Sequence, residues 1–284
     1  MATSTEAIFR ALENSIFAFP EMPGRWEVLH FPGVRAHATP QASHPIGNLV
    51  GVSTLAAANA DAVIAHVRDF FAARDHTVGW WVNPSSTPGD LVSRLEAAGF
   101  AKVIAQAGQV LTNMGLAIKV NPAVTVRQTT HEDRDALIRV YATAYPLPEE
   151  LAAVCTDVLP LAAGGRHYLA FLDDVEGPVA VASMFPFSKS TVAVMQGAAT
   201  LNAYRGHGVY TALMAKRLAD ARDMGMEAAI LQADRTTSAP ICANLGFEEV
   251  CSIDLYAWGH GYKRPAGPHI APDLTRVAGG LMPS

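Results

Sequence analysis

The sequence predicts an α/β protein made of two domains of about equal size, and three observations lead to this prediction. The first is the length: 284 residues allow one large domain or two ordinary ones of about 100–200 residues each. The second is the composition, since 50% hydrophobic and 17% charged residues are typical of a soluble globular chain. The third is a repeated order of strands and helices.

A helix that ends at a Gly-Phe pair and leads into an apolar strand occurs twice. The first copy spans residues 91–100 and the second spans residues 240–247, about half the chain apart. Each glycine, Gly99 and Gly246, stands where a helix needs a left-handed C-terminal residue. The strands that follow are predicted at residues 101–112 and 248–258.

The segments before each copy also correspond. In the first half, a strand at 48–55 and a strand at 78–82 enclose a helix with an apolar stripe at Val63, Val67, Phe70 and Phe71. In the second half, strands at 191–201 and 228–231 enclose a helix with a stripe at Tyr210, Leu213, Met214, Leu218 and Ala221. The order strand-helix-strand-helix-strand is therefore predicted twice.

The link between the halves is predicted at residues 115–123, where Asn121-Pro122 interrupts the periodicity. The second half then begins with a strand at 124–127, helices at about 131–145 and 148–158, and strands at 167–172 and 178–185. We assign residues 1–118 to the first domain, 123–260 to the second, and 261–284 to an irregular tail rich in Pro and Gly.

Composition excludes several classes of protein. The net charge is −5 and the basic residues are scattered apart from Lys263-Arg264, which argues against extended binding to nucleic acid. Cys155, Cys242 and Cys251 fit neither a CxxC pair nor a zinc pattern, so we expect no metal and a reducing compartment. Without a secretory signal or an apolar run of about 18 residues, the prediction is a cytoplasmic protein with no membrane partner.

The segment 201–211 is the most informative one, because it joins a predicted strand to the start of a helix. Two glycines there let a ligand approach the backbone, and the unpaired amides of a helix N-terminus attract an anion. Arg205 adds a positive charge suited to phosphate. The nucleotide P-loop pattern is absent, and Thr211 stands where a dinucleotide loop needs its third glycine. The remaining pattern, Arg-x-x-Gly-x-Gly/Ala, fits Arg205 to Val209 but has Tyr210 at its last position.

With this loop, the helix and strand after it, and the distal Leu245-Gly246-Phe247, the segment from about Val124 to Trp258 resembles the GCN5-related N-acetyltransferase (GNAT) family. The resemblance implies two GNAT-like domains, each a mixed, mainly antiparallel twisted sheet flanked by helices. It also implies that the loop amides bind the pyrophosphate of acetyl-CoA and that a strand backbone binds its pantetheine arm. The cofactor-binding residues implied in this way are Ala199, Thr200, Leu201, Arg205, Gly206, His207, Gly208, Val209, Tyr210 and Ser238.

Each of these assignments has an ordinary structural alternative. The loop is either an anion site or a plain turn with Arg205 as a solvated charge. Ser238 either hydrogen-bonds the cofactor or caps a helix. We expect His207 to point to solvent rather than to act as a base.

The catalytic residues are less complete than the loop. The resemblance implies a strand Glu as base and a Tyr four residues before the Gly of Gly-Phe as acid. Here the strand 191–201 has no Asp, Glu or His, and Cys242 stands at the tyrosine position. We therefore expect catalysis by positioning and carbonyl polarisation, with Cys242 either as the acid or as a small apolar helix residue. Gln196 either positions a water or is a polar strand residue, and Asp234 either takes an amine proton or caps a turn.

The first half lacks the loop, because residues 53–61 contain no glycine and no basic side chain. It resembles a degenerate GNAT half, so we predict one acetyl-CoA per chain. Its expected role is to cover the acceptor side of the second half. At most one of Trp80 and Trp81 faces that cleft, since neighbouring residues of a strand point to opposite sides. The turn at residues 44–48 either reaches the acceptor or is a plain loop.

Together these expectations describe a tandem N-acetyltransferase that transfers the acetyl group of acetyl-CoA to a primary amine of a small molecule or peptide. Its partners would be acetyl-CoA and the amine, without nucleic acid or membrane, and a homo-oligomer is left open. The alternative is a catalytically inactive acyl-CoA-binding sensor or interaction protein. A nicotinamide-dependent oxidoreductase is disfavoured by Thr211 and by the repeat.

Overall fold

The structure is a computed structural model that describes residues 4–145 and 147–259. The tail predicted at residues 261–284 lies outside the described residues. The helices are α1 (Thr5–Asn14), α2 (Ala60–Ala72), α3 (Leu91–Ala97), α4 (Arg134–Ala144), α5 (Glu149–Val158), α6 (Val209–Asp223) and α7 (Ser238–Asn244). The strands are β1 (Glu27–Phe31), β2 (Val34–Ala38), β3 (Leu49–Ser53), β4 (Val78–Val82), β5 (Ala101–Leu111), β6 (Val124–Gln128), β7 (Arg166–Leu172), β8 (Ala180–Pro186), β9 (Val192–Thr200), β10 (Ala228–Asp234) and β11 (Glu248–Trp258).

The strands form a continuous sheet in the order β1-β2-β3-β4-β11-β5-β10-β9-β8-β7-β6. Only two neighbouring pairs among them are parallel, β3 with β4 and β9 with β10. The sheet is therefore mixed and mainly antiparallel, as predicted. The repeat is also confirmed, since β3-α2-β4-α3-β5 and β9-α6-β10-α7-β11 follow the same order.

The last strand of each half lies against strands of the other half. β5 pairs with β10 from Asp234↔Gln106 to Ala229↔Leu111, and β11 pairs with β4 from Trp258↔Val78 to Asp254↔Val82. β5 and β11 also pair with each other. The two halves thus contribute adjoining parts of one sheet. β5 of the first half lies directly beside β10 of the second half.

Helices cover both faces of this sheet. Apolar clusters place α2, α3, α6 and α7 on one face, and α1, α4 and α5 on the other. Trp80 packs under α2 and α3, whereas Trp81 packs on the face of α1. Both rings are buried, at 0% and 7% exposure, so they belong to the core and neither lines a cleft.

Both Gly-Phe pairs end their helices as expected, because Gly99 has φ +89° and Gly246 has φ +88°. The sequence prediction omitted α1, β1 and β2. α1 is a short helix capped by Ser4, whose side chain accepts a hydrogen bond from the Ala7 amide. No helix within the described ranges is both long and apolar enough to cross a membrane.

Candidate active site

The parallel strands β9 and β10 separate part-way along their length. Their pairing runs only from Val192↔Ala228 to Val194↔Ile230, although β9 continues to Thr200 and β10 to Asp234. β8 and β5 remain paired on the outer sides of the two strands. A wedge-shaped opening therefore lies between residues 195–200 and 231–234, at the end of β9 that leads into α6.

A β-bulge lies beside this opening. Ser183 pairs with Gln196 and Val181 pairs with Ala199, so β9 carries one extra residue there. Gly197 has φ +60°, and a Cβ on it would lie 2.7 Å from the hydroxyl of Tyr141. A glycine is therefore needed at this position, both for the backbone conformation and for the contact with Tyr141.

The loop at the start of α6 presents its amides without a side-chain cap. Gly208 is the N-cap residue with φ +76°, and its geometry includes no side-chain cap hydrogen bond. Gly206 has φ +80° and has open space where a Cβ would point. His207 is exposed, and its Nδ1 donates to the carbonyl of Arg205 at 3.0 Å. The loop is thus a backbone surface that an anion can approach, with Arg205 exposed beside it.

The predicted arm-binding strand has polar atoms that lack partners. Gln196 Oε1 and Thr200 Oγ1 are buried and have no hydrogen-bond partner among the described residues. Thr200 O accepts a long hydrogen bond from Arg205 Nε at 3.4 Å. Buried polar atoms normally find a partner, so both atoms are available to a ligand or a water bound in the opening. The Ala199 side chain packs under α4, which leaves only its backbone for such a ligand.

Leu201 follows β9 and lines a cleft. The cleft has a volume of about 350 Å³ and is lined by Leu201 and Tyr204 together with Arg139 and Gly177. The Leu201 amide donates to the carbonyl of Val179 at 2.9 Å. Leu201 therefore anchors the end of β9 to the turn before β8.

Cys242 and Tyr210 form a hydrogen-bonded pair between α6 and α7. Cys242 is fully buried, and its Sγ lies 3.2 Å from Tyr210 Oη. Burial raises the pKa of the Cys242 thiol and the pKa of the Tyr210 phenol. Both groups therefore stay protonated at neutral pH. The N-cap residue of α7 is Thr237, so capping does not account for Ser238.

A second polar cluster lies on the opposite face of the bulge, and the sequence reasoning missed it. Ser183 Oγ lies 2.6 Å from Tyr141 Oη and 2.7 Å from His167 Nδ1. His167 Nε2 lies 2.9 Å from the carbonyl of Thr156, which can only accept, so Nε2 carries the proton and Nδ1 accepts from Ser183. Burial lowers the pKa of His167 to about 4, so the ring is neutral at pH 7.

Tyr145 completes the contact between α4 and the bulge, since its hydroxyl donates to the carbonyl of Ala198 at 2.7 Å. Tyr141 and Tyr145 are spaced i, i+4 on a helix that the sequence did predict. This i, i+4 spacing was the sequence signal that could have identified the two tyrosines as a pair. Ser183 and His167 gave none, because they come from two separate strands.

Two polar groups singled out in the sequence have structural roles. The Asp234 carboxylate accepts from the Thr236 amide at 2.8 Å, as a turn-capping side chain does. Asn48 is fully buried, with Oδ1 accepting from Thr39 N at 3.0 Å and Nδ2 donating to Ala42 O at 2.8 Å. In the part of the chain that the structure describes, no three His, Cys, Asp or Glu side chains form a group that could hold a metal.

The first half contains a corresponding opening that its own chain fills. β3 and β4 pair only at Leu49↔Gly79 and Val50↔Trp80. Beyond this point Thr54 and Thr87 form a parallel bridge. The Thr87 amide donates to Ser53 O at 3.1 Å, and Thr87 O accepts from the Leu55 amide at 3.2 Å. The segment after β4 thus turns back onto the free edge of β3.

Comparisons with known proteins agree with this architecture. Residues 130–247 match the model of the acetyltransferase (GNAT) family. None of the curated proteins matches this chain. Among solved structures, a GCN5-related N-acetyltransferase from Kribbella flavida has a TM-score of 0.64 at 18% identity, covering 92% of this chain and 97% of that one.

Two further structures share the fold over most of the chain. A GCN5-related N-acetyltransferase from Sphaerobacter thermophilus has a TM-score of 0.59 at 15% identity, covering 81% of this chain and 82% of that one. A tandem GNAT protein from the clavulanic acid biosynthesis pathway has a TM-score of 0.53 at 15% identity, covering 81% of this chain and 79% of that one. Residues 130–247 thus match the GNAT family model, and the fold of the chain is that of GNAT proteins including a tandem one.

Proposed function

We propose, from the premise that residues 130–247 form a GNAT domain, that this protein is an N-acetyltransferase that transfers the acetyl group of acetyl-CoA to a primary amine of a small molecule or peptide. The observation that carries the proposal is the opening between β9 and β10, which leads directly to the uncapped N-terminus of α6. A ligand with an extended amide arm and a pyrophosphate matches both parts at once.

The loop and the strand end have separate roles in this proposal. The amides of Gly206 to Tyr210 and the guanidinium of Arg205 bind the pyrophosphate, because a helix N-terminus and an arginine both favour phosphate oxygens. The arm binds along the free side of β9 at Thr200, between Ala199 and Leu201, because the Leu201 amide already donates to Val179 O. Ser238, half-buried at the start of α7, hydrogen-bonds the same arm.

The chemistry rests on orientation more than on a strong base. A neutral amine attacks the acetyl carbonyl, the new C–N bond forms, and the C–S bond breaks with its electron pair on sulfur. β9 carries no carboxylate, so Gln196 orients a water that takes the amine proton. Cys242, which burial keeps protonated at neutral pH, donates a proton to the departing thiolate and regains one from the solvent that received the amine proton.

The first half supports this site rather than forming a second one. β5 forms one wall beside β10, and Gln232 of β10 donates to the carbonyl of Leu12 on α1. We propose that the acceptor amine binds on the face that α1 and α4 cover, opposite the loop. One acetyl-CoA then binds per chain.

The experiment that tests this function has two steps. Calorimetric titration of acetyl-CoA into the wild type should give saturable binding near one per chain. A panel of primary amines is then screened for release of free CoA thiol, with each acetylated product identified by mass. Turnover of at least one amine supports the enzyme, and a wild type that binds no acetyl-CoA contradicts it.

Two observations favour a second function. The strand β9 has no acidic residue and Cys242 stands where the family has a tyrosine, so the chain is also suited to bind an acyl-CoA without turnover. Saturable acetyl-CoA binding without thiol release for every amine would support a sensor or interaction protein instead.

A further inference from the structure

Arg217 is a charged residue on the buried face of α6, whereas the buried face of α2 is apolar. The buried stripe of α2 consists of Val63, Ile64, Val67 and Phe71. The same spacing on α6 gives Leu213, Met214, Arg217 and Ala221. Arg217 is only 1% exposed and is among the largest fully buried side chains. Since a guanidinium keeps its proton in proteins, a full positive charge is buried here.

The partners of this charge are all neutral. Arg217 Nε donates to Leu213 O at 3.2 Å, Nη1 donates to Ser183 O at 3.1 Å, and Nη2 lies 3.7 Å from Met214 Sδ. Within residues 4–145 and 147–259, none of the ion pairs involves Arg217. A buried charge without a counter-ion is strongly unfavourable for folding.

The acidic residue one turn along the helix has other partners. Asp220 lies 2.6 Å from Lys216 Nζ and 3.3 Å from Arg166 Nη1, and it accepts from the hydroxyl of Tyr168 at 2.8 Å. Its negative charge is therefore already compensated. The burial of Arg217 needs another explanation.

The charge lies among the titratable side chains of the candidate site. Burial raises the pKa of Tyr141, Tyr145, Tyr210 and Cys242, and the positive charge of Arg217 opposes that increase in each. These side chains come from α4, α6 and α7. The carbonyl that Arg217 holds belongs to Ser183, which pairs with Gln196 at the bulge. Arg217 is therefore close to the bulge and to the Tyr210–Cys242 pair.

The other charged or titratable side chains around Arg217 are exposed, paired with one another or neutral. Arg205 is exposed at the loop, and its charge also opposes the increase that burial causes in the pKa of Tyr145. Lys216, Arg166 and Asp220 compensate one another, and His167 is neutral at pH 7 because burial lowers its pKa. Among the described residues, Arg217 is thus a buried cation next to the bulge that no ion pair compensates.

We propose that Arg217 is an electrostatic residue of the transfer reaction, which stabilises the negative charge that forms at the thioester; this inference rests on the proposed function. A thioester and a neutral amine carry no net charge before reaction. When the C–N bond forms and the C–S bond breaks, the electron pair passes to sulfur, and a fixed positive charge stabilises that state more than the initial one.

This role makes opposite predictions for stability and for activity. Arg217→Met restores an apolar stripe and removes a buried ion, so the melting temperature should be unchanged or higher. The same variant should bind acetyl-CoA with unchanged Kd but turn over about 10–100-fold more slowly, an effect typical of a lost charge-stabilising group. Arg217→Lys keeps the charge and should recover part of the rate.

A binding measurement tests the charge without any turnover. The thiolate of bound CoA is followed by its ultraviolet absorbance as a function of pH, with the complex of desulfo-CoA as the blank. A cation within about 6 Å lowers the pKa of an acid by at least one unit, so the wild type should hold about tenfold more thiolate than free CoA. Arg217→Met should lose this shift. Arg222→Met is the matched control, because it removes an exposed cation from the same helix.

The outcomes separate this inference from the proposed function. An unshifted thiol pKa in a wild type that binds CoA normally would overturn the role of Arg217 alone. Absence of CoA binding by the wild type would overturn both. If Arg217→Met does not fold, Arg217→Gln takes its place, since it keeps a donor for Ser183 O without the charge. A thiol pKa equal to the wild-type value in that variant would then show that Arg217 is only structural.

Discussion

The two halves of this sheet have the same pair of parallel strands with different surroundings. In the first half, the bridge between Thr54 and Thr87 closes the space where β3 and β4 part. In the second half, the corresponding strands β9 and β10 part after Val194, and no isolated bridge within the described residues joins β9 to another segment. The two halves therefore share the same pair of parallel strands. They differ in whether another segment of the chain covers the free edge of the first strand, which is β3 in one half and β9 in the other.

The helices α2 and α6, which follow the two openings, also differ in their N-terminal segments and in their buried faces. The N-cap residue of α2 is Asn59, which follows a segment without glycine or basic residues, whereas the N-cap residue of α6 is Gly208 in the loop that contains Arg205. The buried stripe of α2 is wholly apolar, while that of α6 contains Arg217. The glycine loop, Arg205 and the buried Arg217 therefore occur together in the second half only.

The largest effect is expected at the loop. Arg205→Glu replaces attraction to the pyrophosphate by repulsion, so the Kd for acetyl-CoA should rise at least about 100-fold. Arg222→Glu makes the same change at an exposed position of α6 and should leave the Kd within about twofold. Calorimetric titration of both variants measures this difference, and equal affinities would mean that the loop does not bind the phosphates.

The second effect is a loss of unfolding free energy as the pH falls. Burial lowers the pKa of His167 in the second half, and of His37 in the first, from 6.5 to about 4. A lowered pKa gives stability that is complete above about pH 6.5 and is lost as pH falls towards 4. Each histidine should contribute about 2 kcal/mol to this loss by pH 4.5.

Single variants separate the halves in this test. His167→Gln and His37→Gln are each expected to show a smaller fall in unfolding free energy between pH 7 and 4.5 than the wild type, measured by urea denaturation. A wild-type pH dependence in both variants would show that neither ring is neutral because of burial.

The third effect concerns the bulge at Gly197. A methyl group there would meet the Tyr141 hydroxyl at 2.7 Å and would have to adopt φ +60°. Gly197→Ala should therefore lower the unfolding free energy by about 1–3 kcal/mol. Gly206→Ala is the control, because it has a positive φ but open space for the methyl group. An equal loss in the two variants would leave only backbone strain as the cause.

The smallest effect is expected where the first half fills its own opening. Asn83 is buried, and its Nδ2 donates to the carbonyl of Gly51. Asn83→Leu should lower the unfolding free energy by about 1 kcal/mol and leave the Kd for acetyl-CoA unchanged. A weakened Kd in this variant would instead tie the first opening to ligand binding.

Much of this architecture could be predicted from the sequence, because the signals were local. The Gly99 and Gly246 turns, the helical stripes and the glycines around Arg205 depend on neighbouring residues alone. The exchange of β5 and β11 between the halves could not be predicted, since the partner of a strand is chosen by tertiary packing and not by its own residues. Arg217 escaped notice because a long charged side chain on a helix is normally exposed.

The candidate site also contains residues that a local motif could predict and residues that only the fold brings together. The loop residues Arg205 to Tyr210 follow from one short motif, whereas the cluster of Tyr141, Ser183 and His167 joins a helix and two strands that lie apart in the sequence. Cys242 was identified because it stands four residues before Gly246, where the resemblance implies a tyrosine, but its partner Tyr210 could only be found in three dimensions.

The central claim is that only the second opening binds acetyl-CoA, and hydrogen exchange with saturating acetyl-CoA tests it most directly. Bound ligand should slow amide exchange in residues 198–201 and 206–211, while residues 51–55 and 57–61 of the first half exchange as in the free protein. Protection of the first-half segments, or unchanged exchange in the loop of the second half, would contradict the account.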